Sequence, residues 1–109
     1  MSLCADPPAC NLPATGGTSN HKLITGGTER LIFKIKSSNN TDYRITPVFG
    51  YVEPGVPRDI VIARTQGPPK EDKLAIQFTL APADAHDPQA AFANLSPIGI
   101  ITIPMNAFC

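Results

Sequence analysis

Proline and glycine set the tightest limit on what this chain can fold into. Twelve prolines and eight glycines in 109 residues interrupt it about every five or six positions. No stretch of more than about ten residues keeps a helical period clear of them. Proline lacks the ladder donor and is confined to strand edges, turns and bulges. The chain therefore reads as short strands joined by many turns.

The strands can be placed by alternation. Residues 1–18 form an extended edge segment, partly paired. His21 to Ile24 is a short strand closed by Thr25-Gly26-Gly27-Thr28. Leu31 to Lys36 is the clearest, with Leu31, Phe33 and Ile35 on one face and Ile32, Lys34 and Lys36 on the other. The turn Ser37 to Asp42 holds only Ser, Asn, Thr and Asp, whose side chains satisfy turn backbones. Tyr43 to Pro47 follows, with Phe49 to Val52 as a short continuation after a kink at Pro47. Asp59 to Arg64 and Lys73 to Leu80 are further strands, separated by a loop over Thr65 to Asp72. Ile98 to Met105 is the last. One short helix fits within 83–94, with Asp87 as N-cap and Pro88 as first residue. Seven or so strands at this spacing predict one all-β domain, 1–109, folded as a β-sandwich. Its core should hold Leu31, Phe33, Ile35, Ile60, Ile62, Leu74, Ile76, Phe78, Ile101 and Ile103.

Composition narrows the function. Nine basic and nine acidic residues give a net charge of +0, against the basic excess of a nucleic-acid binder. The near-neutral chain repels itself weakly, which permits a homodimer. No basic-flanked apolar leader and no run near 18 apolar residues is present, so a cytoplasmic protein without a membrane span is expected. Cys4, Cys10 and Cys109 are expected to be free thiols, as is usual in that compartment. The closely spaced cysteines and histidines of a zinc site are missing, and no other metal or cofactor motif is visible.

Catalysis has little to stand on. His21 and His86 are expected on the solvated surface, without partners. The carboxylates Glu53, Glu71, Asp72, Asp84 and Asp87 are scattered, and no glycines form a phosphate-cradling loop. No catalytic residue is assigned. The charged strand positions Lys34, Lys36, Arg44 and Lys73 are the more useful feature. They read either as a solvated face or as a groove steering an acidic segment. Ile32, taken as exposed beside Lys34, favours a contact surface.

Three motifs also carry a family resemblance. Phe33-Lys34-Ile35-Lys36-Ser37-Ser38, Tyr43-Arg44-Ile45-Thr46-Pro47 and Gly50-Tyr51-Val52-Glu53-Pro54-Gly55 together resemble the major sperm protein (MSP) domain. Lys73-Leu74-Ala75-Ile76-Gln77, ending at Ala81-Pro82, resembles a later strand of that domain. The N-terminal Ala5-Asp6-Pro7-Pro8-Ala9-Cys10 and the length look more like the small nematode sperm-specific members than the VAP receptors of the endoplasmic reticulum. The resemblance implies an immunoglobulin-like, seven-stranded sandwich that is not an enzyme. It implies a protein partner, either an MSP-type filament or an acidic peptide motif, and a place in the sperm cytoplasm. In VAP-type members the positions matching Lys36, Ser37, Ser38 and Lys73 help hold an acidic, phenylalanine-containing peptide. Here serines replace two threonines, Ala75 replaces a methionine, and Asp42 adds a negative charge beside the groove. No coiled coil or membrane anchor follows in this sequence, so a VAP-like tether is not expected.

Overall fold

The computed structural model describes residues 2–83 and 87–109. His86 and Asp84 lie outside the described residues. Nine strand segments build two facing sheets: β1 (Leu3–Asp6), β2 (Cys10–Pro13), β3 (Gly17–Thr25), β4 (Leu31–Ser37), β5 (Tyr43–Thr46), β6 (Phe49–Val52), β7 (Arg58–Arg64), β8 (Lys70–Leu80) and β9 (Gly99–Phe108), with one helix, α1 (Pro88–Phe92), before β9. One sheet has the order β1-β3-β7-β5 and the other β2-β9-β8-β4-β6. All pairings are antiparallel except β2 with β9, which is parallel.

The expected count was seven, and the difference has a physical source. Two strands change sheets at prolines. Around Pro7-Pro8 the first strand leaves the four-stranded sheet as β1 and joins the five-stranded sheet as β2. Around Pro47 the chain passes from β5 to β6 in the same way. Proline cannot donate to a ladder, so it marks where pairing on one sheet ends. Counted as continuous runs, the nine segments are seven. Phe49 to Val52 is thus not a continuation of its own sheet: it pairs with β4.

The two inner faces interdigitate in one core. Leu31, Phe33, Ile35, Ile60, Ile62, Leu74, Ile76, Phe78 and Ile103 are buried, as expected, and Ile101 is partly buried against them. Two glycines inside strands admit the largest rings. Phe33 is the cross-strand partner of Gly50, and Phe78 of Gly99. A Cβ at Gly50 would stand 2.8 Å from the Phe33 ring, and one at Gly99 would stand 2.5 Å from the Phe78 ring. The missing side chains are therefore the space these rings fill.

Three expectations fail on the question of which side is covered. Ile32 is fully buried, not exposed. It points to the outer face of the five-stranded sheet, but α1 packs against β4 and β6 there and buries its own Phe92. Thr79, the cross-strand partner of Ile32, is outward by the alternation of β8 yet is buried too. Asp87 does cap α1, accepting a 3.1 Å bond from the Gln89 amide, and Pro88 opens it. His21 is the third: it is buried, not solvated. Its Nδ1 lies 2.8 Å from the Pro7 carbonyl oxygen, which can only accept, so Nδ1 carries a proton. Nε2 then meets the Ser19 hydroxyl at 2.7 Å. The ring ties β3 to the segment where the first strand changes sheets.

Candidate protein-contact face

Alternation along β4 and β8 decides what the outer face of the five-stranded sheet displays. Lys36 lies opposite Ala75 and Lys34 opposite Gln77. Lys73 lies opposite Pro104, Ala75 opposite Thr102 and Gln77 opposite Ile100. Lys36 and Lys73 are exposed, whereas Lys34 is half-buried, its ammonium 5.7 Å from the centroid of the Phe49 ring. That is near the outer limit of a cation–π contact. Among the described residues, none of the three lysines has an ion-pair partner.

The other sequence-chosen residues are dispersed. Arg44 was placed on the same half-buried sheet as the lysines; it stands on β5, paired with Ala63 of β7 in the opposite sheet. The reason is the turn before it, which carries the chain between sheets instead of folding β5 back beside β4. Arg44 shares only a side cleft with Ser37. Ser37 and Ser38 sit at the rim with their hydroxyls engaged. Ser37 Oγ donates to the Asn39 carbonyl at 3.0 Å, and Ser38 Oγ donates to Asp72 Oδ1 at 3.0 Å.

The hub of this corner is Asn39, which the sequence reading did not single out. It is buried. Its Oδ1 accepts from the amides of Thr41 and Asp42 at 3.1 and 3.0 Å. Its Nδ2 donates to Asp42 Oδ2 and Asp72 Oδ2 at 3.0 and 3.1 Å. The Asp72 carboxylate, 3% exposed, also faces the Lys70 ammonium at 3.7 Å. Asp42 is thus turned toward Asn39 and Gly67, not toward the lysines. The Asn39–Asp42 spacing was the available signal, since an Asn side chain caps amides two and three residues on.

Behind this corner lie two further buried groups. Arg64 follows Ile60 and Ile62 on the inward register of β7 and is 4% exposed. Its Nη2 donates to the Pro68 carbonyl at 2.8 Å, and its guanidinium carbon lies 4.9 Å from the Tyr43 ring centroid. Burial pushes the Tyr43 phenol above its ordinary range, while Arg64 pulls the other way by less. Burial likewise raises the Cys10 thiol, opposed by the Ser19 hydroxyl. A buried thiol of raised pKa is a poor nucleophile. All three cysteines are free, Cys4 and Cys109 being exposed.

Among the described residues, the one hydroxyl–imidazole contact noted above, Ser19 with His21, ties strands together around a buried ring and lies apart from this face. What this face presents is a braced, basic and partly apolar strand surface, suited to contact with another chain. The family model of the MSP (major sperm protein) domain matches residues 2–98. The chain belongs to the MSP-domain family. Sperm-specific class P protein 10 of Caenorhabditis elegans is 65% identical to it over 107 residues, 98% of each chain. The solved structure of SSP-19, an MSP-domain-like protein of the same nematode, superimposes with a TM-score of 0.94 at 60% identity, covering 96% of this chain and 98% of that one. A PapD-like domain of human CEP192 shares the fold alone, with a TM-score of 0.61 at 8% identity and coverage of 97% and 84%. The fold is therefore the immunoglobulin-like sandwich of MSP and PapD-like domains, and the MSP-domain protein is not an enzyme. No helix among the described residues is long and apolar enough to cross a membrane.

Proposed function

We propose that this MSP-domain protein is a structural or regulatory component of the nematode sperm cytoskeleton, working in the cytoplasm through protein–protein contact. The observation that carries this reading is identity of 65% across the whole domain with a relative named as sperm-specific. The exposed apolar residues Ile98 and Ile100 and the neutral overall charge support association through a sheet edge or surface. Co-sedimentation with assembled MSP filaments tests it. The protein should pellet with filaments and stay soluble without them, and Lys36→Glu should not release it. A protein that remains in the supernatant at every filament concentration sinks the reading.

A second reading has its own support. Lys34, Lys36 and Lys73 gather on one face with no carboxylate across from them, and Ser37 and Ser38 stand at its rim. That face suits an acidic peptide motif held by an adaptor module. Arg44 takes no part, being on the other sheet. Under this reading Lys36→Glu or Lys73→Glu abolishes binding of an acidic, phenylalanine-containing peptide, and added salt weakens wild-type binding because exposed charges are screened over about 10 Å at 0.1 M. Peptide binding that ignores both charge and salt would dismiss it.

A further inference from the structure

The first strand opens a cleft where it leaves its sheet. β1 pairs with β3 as far as Asp6, opposite Lys22, and the chain then crosses to the other sheet at Pro7. β3 itself runs back to Gly17 with β7 along its far side. Continued in register, β1 would have set Pro8 against Asn20. In place of that missing strand lies a cleft of about 500 Å³, open to solvent. That is the size of a small-ligand site. Pro7 and Val61 give it apolar walls, and the buried His21 ring lines it as well. What it offers a ligand is acceptors. Asp6 and Asp59 are the two cross-strand partners of Lys22, so two carboxylates share one ammonium, and the ammonium goes to Asp59 Oδ1. Among the described residues, the exposed Asp6 carboxylate is left without an ion-pair partner. The Asn20 carboxamide adds a further acceptor. The cationic donor in the lining is already engaged, and both ring nitrogens of His21 are held by the Pro7 carbonyl and the Ser19 hydroxyl.

We propose that this cleft receives an arginine side chain from a partner protein. This adds a second contact surface to the contact-based function above, and it rests on that reading. Charge and shape name the occupant. Asp6 repels an anion, and an apolar side chain in the cleft would desolvate that carboxylate without giving it a partner. A cationic head on a long aliphatic stem answers both needs: the stem covers Pro7 and Val61 while the head reaches the carboxylates. A guanidinium suits the spread of acceptors better than an ammonium. Its planar fork holds five donors and can bridge acceptors on either side of Lys22, and its bonds to carboxylate are charge-assisted. The cleft belongs to the four-stranded sheet, whereas Lys36 and Lys73 belong to the five-stranded one. The two surfaces can therefore be engaged independently.

An amide NMR titration with acetyl-arginine methylamide tests this directly. Shifts should saturate and stay confined to the residues that line the cleft. The citrulline analogue keeps the shape and loses the charge, and it should bind roughly fivefold more weakly or worse. The lysine analogue should fall between the two. Asp6→Asn should weaken the arginine probe about as much as the change to citrulline does, and added salt should weaken it further, since the site is open to solvent. Val61→Lys brings an ammonium of the chain's own into the cleft and should displace the probe. Circular dichroism verifies that both variants fold. Lys36→Glu, on the other sheet, should leave the titration unchanged. Equal binding of the arginine and citrulline analogues, a lysine analogue that matches arginine, shifts scattered over both sheets, or an affinity indifferent to both cleft substitutions would overturn the proposal. A chain that ignores arginine yet pellets with filaments would lose this site and keep the cytoskeletal function. A chain that binds arginine in the cleft but ignores filaments would do the reverse.

Discussion

On the outer face of the four-stranded sheet, Lys22 has Asp59 and Asp6 as its two cross-strand partners, and its ammonium reaches Asp59 Oδ1 at 2.6 Å. On the outer face of the five-stranded sheet, Lys36 has Ala75 and Lys73 has Pro104. The residue type and strand setting are the same, but the charge is answered within the fold on one side and left to the solvent on the other. A lysine matched by a carboxylate contributes a short-range pair and little external field. Lysines facing alanine and proline keep their field for whatever approaches. The two outer faces thus differ in whether their lysines are paired within the fold, and they differ through register, not through the number of charges.

Both faces hang on one core, so the comparison breaks first there. Phe33→Ala should cost about 3–5 kcal/mol, because the ring is fully buried over Gly50 and the glycine side cannot collapse to fill the space. Urea unfolding measures it, and an unchanged midpoint would mean that the inner and outer faces of β4 have been exchanged. The next effect isolates the basic corner. Asn39→Ala removes four hydrogen bonds that brace Asp42 and Asp72. It should cost about 2–3 kcal/mol, since buried acceptors and turn amides lose their partners. The same substitution should leave the Lys22–Asp59 face undisturbed in amide exchange. Protection lost equally on both sheets would argue against a local brace.

A smaller effect separates the interior from both outer faces. Burial raises Tyr43 above its ordinary 10.0 and Cys10 above 9.0. In the folded state these groups hold their protons more tightly than in the unfolded state. Above the ordinary values the unfolded chain thus binds fewer protons, and stability falls as pH rises. The contribution is intact below about pH 9 and is lost through the alkaline range. Tyr43→Phe should flatten the upper part of that fall, as read from urea midpoints between neutral and alkaline pH. An alkaline slope identical to wild type would place its origin elsewhere.

What the sequence disclosed depended on how local the cause was. The inward positions of β4, β7 and β8 follow from alternation, and they were legible. The Asp87–Pro88 helix start is a matter of adjacent residues, and it was legible too. His21 and Arg64 obey the same rule despite their polarity: each continues an apolar register, with Leu23 in one case and with Ile60 and Ile62 in the other. Ile32 was beyond local reading, because α1, remote in sequence, packs against β4. Arg44 was likewise misplaced, since a polar turn does not declare whether the next strand pairs with the last or crosses to the other sheet. The lysines survive as a cluster because β4 and β8 are neighbours, a fact of topology that no motif spelled out.

The finest test of the two faces is the pair itself. Lys22 and Asp59 retain side-chain exposures of 56% and 74%, so water screens their attraction. A double-mutant cycle of Lys22→Ala and Asp59→Ala should yield a coupling below about 1 kcal/mol that shrinks with added salt. Lys36→Ala should change stability even less, having no carboxylate partner to lose, while altering whatever that face binds. A strong, salt-resistant Lys22–Asp59 coupling would mean that the four-stranded face holds an organised ionic site. A marked stability loss from Lys36→Ala would mean that its charge is answered inside the fold after all. Either result would erase the asymmetry between the two outer faces.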